Sequence, residues 1–135
     1  MPNVYAACWT MSEAIFAGQT TTGRVDTFEN IALTADTQLK ILGNTGGGGY
    51  SRMLIVPEYV FTAGGAILSR TDKHRIYRRL EDISAKVPQL IIIAGSIAYK
   101  KGIIMKDTYN VCPVLLGGQI VKKLYKANDD TVYQI

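Results

Sequence analysis

The chain has 135 residues, 47% of them apolar and 19% charged, with a formal net charge of +4. These values suit one globular domain with a real core and exclude an intrinsically disordered chain. The longest apolar runs, 53–56 and 90–98, are too short to cross a bilayer, and MPNVYAACW lacks the basic and apolar blocks of a signal peptide. A cytoplasmic protein is therefore expected, with no membrane partner. Two cysteines, Cys8 and Cys112, make neither a disulfide framework nor a CxxC motif, and one histidine supports no zinc site. No metal and no cofactor is expected.

Residues 3–10, NVYAACWT, read as a first strand. A Thr- and Gly-rich loop, AGQTTTGR, follows. Asp26 and Glu29 have the spacing of an N-terminal capping box. Phe28, Ile31, Ala32, Ala35, Leu39 and Leu42 share one face at helical spacing, so a helix is predicted from Asp26 to Leu42, with Gly43 ending it. The run Gly46–Gly49 reads as a surface loop. Glycine runs can cradle phosphate, but no Lys-Ser/Thr pair follows this one and no helix starts behind it.

Residues 53–57 are the second predicted strand, and Glu58 follows Pro57 at its C-terminal end. Open α/β sheets place ligand crevices there, and a carboxylate held out of water in a crevice is a candidate general base. A loop-capping or arginine-paired carboxylate is the alternative. The second helix is predicted over Thr71–Val87, with Ile76, Leu80, Ile83 and Val87 as its apolar stripe and Pro88 just past its end. Arg75, Arg78, Arg79 and Asp82 face outward, and His74 falls on the same polar face as a solvated residue.

QLIIIAGSIA, 89–98, reads as a third strand whose unbroken apolar character indicates burial on both faces. Gly95-Ser96 within it marks a close backbone approach to a neighbour or a ligand. TYNVCPVLL and QIVKKLY are two more strands, joined through Gly117-Gly118 in a tight hairpin turn. Strict alternation along 120–126 places Ile120, Lys122, Leu124 and Lys126 on one face, with Val121, Lys123 and Tyr125 on the other. Lys126, at the strand end, is either solvated or available to a site.

The order strand–helix–strand–helix–strand–strand–strand predicts an α/β fold: a mixed sheet with helices packed on one face. If strand 89–98 is buried on both sides, something must cover the second face, and these residues leave no element to do so. The chain is then expected to be part of a larger domain or half of an obligate assembly. Its basic residues gather in Lys73–Arg79, Lys100–Lys106 and Lys122–Lys126. Tyr77, Tyr99 and Tyr125 lend thin support to a nucleic-acid face, and solvated strand ends with a solvated helix face explain the clusters better, so no nucleic-acid partner is expected.

Taken together, LIVPEYVFTAG, LIIIAGSIAYK and DTYNVCPVLLGGQIVKKLYKAND resemble, in order and spacing, the N-terminal half of the nitrilase superfamily of carbon–nitrogen hydrolases. The resemblance spans nearly all of residues 1–135 as a single partial domain, about half of a nitrilase-type αββα sandwich. It implies a Glu–Lys–Cys triad acting on an amide or nitrile, with Glu58 at the position of the general base and Lys126 at that of the lysine that stabilises the oxyanion. A thiol becomes a nucleophile as its thiolate, which a base within hydrogen-bond reach supplies.

The family's cysteine follows the lysine on a later strand. Cys8 and Cys112 both precede Lys126, match neither that position nor that order, and read as small buried hydrophobes. The chain alone is expected to be inactive, its nucleophile and covering layer being supplied from elsewhere. The resemblance also implies a homo-oligomer. The alternatives are a non-catalytic binding or assembly module that uses the uncovered sheet face, and a basic nucleic-acid or anion-binding domain.

Overall fold

The computed structural model describes residues 3–8, 20–46, 50–58, 60–62, 66–100, 108–126 and 133–134. These form strand β1 (Asn3–Cys8), helix α1 (Thr21–Gly46), β2 (Tyr50–Ile55), helix α2 (Arg70–Lys86), β3 (Leu90–Ile93), β4 (Ile97–Lys100), β5 (Thr108–Leu116), β6 (Gln119–Lys126) and β7 (Tyr133–Gln134). The strands make one mixed sheet in the order β1-β2-β3-β5-β6-β7, with β4 paired to β5 off that path. β1, β2 and β3 are parallel, and the later pairs are antiparallel. The fold is thus α/β with a mixed sheet and two described helices.

α1 begins a turn and a half before the predicted start. Thr20 caps it: its Oγ1 accepts the Gly23 N–H at 3.1 Å, satisfying one of the free donors of the first turn. Asp26 and Glu29 are helix-interior residues, and their carboxylates bind the other helix instead. Asp26 pairs with Arg79 at 2.9 Å, and Glu29 pairs with Lys86 at 3.2 Å. Nor does Gly43 end the helix, which continues to Gly46. Gly43 is needed for its lack of volume, because the Tyr50 ring occupies the space a Cβ would take. Of the predicted stripe, Phe28, Ala32, Ala35 and Leu39 are buried, whereas Leu42 is exposed.

α2 matches its prediction to within a residue at each end. Ser69 caps it by accepting the Asp72 N–H at 3.1 Å. Ile76, Leu80, Ile83 and Val87 are buried as expected, joined by Tyr77 and Lys73. Ser84 Oγ accepts the Gly118 N–H at 3.0 Å, which ties the helix to the β5–β6 turn. Gly117 and Gly118 have φ of 65° and 82°, the paired positive values a two-residue hairpin turn requires.

The predicted third strand is two strands. β3 stops at Ile93, Gly95 turns with φ of 75°, and β4 starts at Ile97. Burial along β3 alternates, with Leu90 and Ile92 buried and Ile91 and Ile93 half-buried, whereas Ile97, Ala98 and Tyr99 of β4 are buried in succession, so the inference of burial on both faces holds for β4 and not for β3. Leu54, Ile92 and Leu115 lie side by side across β2, β3 and β5. They belong to the core cluster that also holds Phe28, Leu80 and Ile83 from the two helices. Both helices therefore cover one face. On the other, Val4, Ile55 and Leu116 are exposed and Met53, Ile93, Val114 and Leu124 half-buried. No described helix covers that second face.

Alternation along β6 also fails at one point. A register shift between Val114 and Leu115 pairs Leu115 with Ile120 and Val114 with Lys122. A bulge places two residues opposite one, so Ile120 changes sides and packs on the core with Tyr125.

Candidate active site

β2 and β3 run parallel and finish at the same end of the sheet, the end at which open α/β sheets place their ligand sites. Val56 still donates its N–H to the Ile93 carbonyl at 2.9 Å, and Pro57 then removes a donor and releases the chain from the ladder. Glu58 follows in an exposed turn. The sequence suggests a carboxylate held out of water at a strand end; Glu58 is instead at the rim, open to solvent.

The Gly95 break is built around this turn. The Pro57 carbonyl oxygen lies where a Cβ on Gly95 would sit, so only glycine permits both the approach and the positive φ. The neighbour anticipated for Gly95-Ser96 is thus the backbone that carries Glu58. Beside it, Ala94 donates to the Pro113 carbonyl at 3.1 Å, which brings β5 to the same place.

Cys112 lies on β5 one residue before Pro113 and is half-buried. Its thiol pKa is pushed up, chiefly by burial and further by the negative charge of Glu58; a hydrogen bond from the Gly95 backbone N–H opposes the rise by favouring the thiolate. Glu58, Gly95 and Cys112 therefore share one neighbourhood. The sequence reading set Cys112 aside as a buried hydrophobe. No local motif marks it, and only the pairing of β5 with β3 and β4 brings it beside Glu58. Cys8, on β1, is exposed rather than buried.

Lys126 is placed by its backbone alone. It pairs with Asn110 of β5, two residues from Cys112, and with Tyr133 of β7. Since β6 runs antiparallel to β5, its last residue reaches the same end of the sheet as Glu58. The two sequence-predicted positions, far apart in the chain, thus come to one end of the fold. The buried hydroxyls of Ser96 and Thr62 have no hydrogen-bond partner among the described residues. Ser96 adjoins Gly95.

Other sequence expectations fall elsewhere in the chain. The residues Gly47–Gly49, Lys101 and Lys106 lie outside the described residues. His74 is exposed on α2, as expected. Among the described residues no cluster of histidine, cysteine and carboxylates could hold a metal ion, and no helix is long and apolar enough to cross a membrane. Comparison with protein-family models gives no match to this chain, and comparison with curated proteins gives none either.

Proposed function

We propose that the chain is the Glu- and Lys-bearing half of a nitrilase-like amidohydrolase, acting on a non-peptide carbon–nitrogen bond in a small amide or nitrile. One observation supports the reading: the Pro57–Glu58 turn after β2 and the end of β6 that bears Lys126 lie at the same end of the sheet, the C-terminal end of the parallel strands. Glu58, at the solvent rim, is the general base that takes a thiol proton and returns it to the leaving amine. Lys126 is the cation that stabilises charge on the tetrahedral intermediate, a contribution of about 3–4 kcal/mol where one such donor is removed.

The thiol itself comes from the layer that covers the open face. Cys112 is not that thiol in this reading. It lies on β5, before Lys126, whereas the resemblance puts the nucleophile after the lysine on a later strand, and its burial disfavours the thiolate, the reactive form. The half-sandwich architecture and a homo-oligomeric or partner-completed state belong to the same proposal, with the apolar residues Val4, Met53, Ile55, Ile93 and Leu124 as the surface to be covered.

The test is ammonia release from a panel of amides and nitriles. The chain alone should give none, and co-expression with a covering segment that presents a strand-borne cysteine should give turnover lost in Glu58→Gln and in Lys126→Gln. Turnover that survives Glu58→Gln sinks the assignment. The open face also favours a second reading, a non-catalytic assembly module built on that surface. Self-association by light scattering with no turnover in any assembly would select it, and a soluble monomer would count against both.

A further inference from the structure

On the helix-covered side of β6, away from the open face that carries Cys112, lies a groove of about 340 Å³. Lys73, His74, Tyr77, Arg78 and Glu81 line it from α2, and Lys123 lines it from β6. Lys73, Arg78 and Lys123 have no carboxylate partner among the described residues, although five other cations do. Three cations thus face one carboxylate, and two positive charges are left uncompensated.

Two of these cations crowd one ring. Lys73 Nζ is 5.2 Å from the Tyr77 ring centre and Lys123 Nζ is 5.4 Å from it. Lys73 also sits 4.4 Å over Tyr99 and is only 7% exposed. Ring faces offset part of the cost of burying an ammonium, but they supply no hydrogen-bond acceptor, and each cation repels the other. The Lys73 pKa is lowered by burial, then by Lys123 and Arg70, which reports the same strain. His74 at the rim is likewise shifted down, chiefly by Lys73. Tyr77 itself is 6% exposed, and its hydroxyl has no hydrogen-bond partner among the described residues.

We propose that this groove binds the phosphate group of a small phosphorylated ligand, held by Lys73, Lys123 and Arg78. A phosphomonoester carries about 1.5 to 2 negative charges near neutral pH, which matches the two uncompensated positive ones. Its several oxygens accept from ammonium and guanidinium at once, and the arginine can bind two of them together. The site is independent of the Glu58 chemistry and stands whether or not that reading holds.

The experiment is thermal shift and calorimetry with inorganic phosphate and pyrophosphate against chloride and succinate, all at matched ionic strength. Saturable stabilisation by the phosphates, beyond that of chloride and succinate, is expected. Lys123→Gln and Arg78→Gln, both at exposed positions, should each weaken binding about ten-fold or more, the loss typical of one charge-assisted hydrogen bond. Lys40→Gln, on α1, should leave it unchanged. In the absence of phosphate, Lys123→Gln should leave the melting temperature equal or raised, because it relieves repulsion on Lys73; a merely structural lysine would lower it. A phosphate shift no larger than that of chloride overturns the proposal, and so does full binding in the Lys123→Gln, Arg78→Gln double variant.

Discussion

Gly95 and Pro57 touch so closely that no side chain fits between them: the Pro57 carbonyl occupies the place of a Gly95 Cβ. This contact holds the break between β3 and β4 against the turn that carries Glu58. Gly95→Ala must both adopt a φ of 75° and push backbone aside. Positive φ costs a residue with a side chain roughly 1–2 kcal/mol, and overpacking adds about 1–3 kcal/mol, so a loss of about 2–5 kcal/mol is expected in urea unfolding. A loss under about 1 kcal/mol would mean that the turn has room to move.

Glu58 and Cys112 can be probed through the thiol. The Glu58 charge helps to hold the Cys112 pKa above that of an ordinary thiol, so its thiolate fraction at pH 8 is low. Glu58→Gln removes that charge, lowers the thiol pKa and should speed iodoacetamide alkylation of Cys112 several-fold. Exposed Cys8 provides the internal reference in the same peptide digest. An unchanged Cys112 rate would place Glu58 out of reach of the thiol.

Much of this arrangement is legible in the sequence, and the misses have physical causes. Helix α2 and the β5–β6 hairpin follow from periodicity and turn chemistry, because Ile76, Leu80 and Ile83 point one way and Gly117-Gly118 supplies two positive φ values. The capping box at Asp26 was illusory, since a carboxylate at that spacing serves equally well to pair with Arg79 across the helix interface. The apolar run 89–98 hides a break that only the Pro57 approach explains. Lys73 on the core side, and Cys112 beside Glu58, depend on contacts between strands and helices distant in sequence. Local pattern carries no signal for them.

A buried ion pair joins α1 to β2. Asp36 accepts from Arg52 Nε at 2.9 Å, with both side chains 7% exposed, and Lys40 adds a second, more exposed partner at 2.9 Å. Breaking such a pair leaves a charge buried and unmatched, at a cost of about 3–5 kcal/mol, whereas replacing both partners with apolar residues is often neutral. Asp36→Leu alone, which leaves the Arg52 guanidinium buried without a carboxylate, should destabilise by about that amount. The double variant Asp36→Leu, Arg52→Met should recover most of the loss. Equal destabilisation in single and double variants would show that shape rather than charge decides this contact.

Alkaline stability rests on the tyrosines between α2 and the sheet. Tyr77, Tyr99, Tyr109 and Tyr125 form an edge-to-face series with ring separations of 6.5, 5.8 and 5.9 Å. Burial, and then neighbouring tyrosines, raise the pKa of Tyr77 strongly and that of Tyr99 less. A group whose pKa is raised on folding contributes stability that is fully present below its unfolded value, about 10 for a phenol, and lost as pH climbs toward the folded value. Lys73 works in the opposite sense: its pKa is lowered on folding, so its penalty lifts as pH rises toward 10.5. Two raised phenols outweigh one lowered ammonium, so unfolding free energy should fall from pH 9.5 to 11.5. Tyr77→Phe removes the larger contribution and should flatten that fall. Urea titrations across this range, with tyrosinate absorbance followed in parallel, check both; a fall equally steep in Tyr77→Phe would remove Tyr77 as its cause.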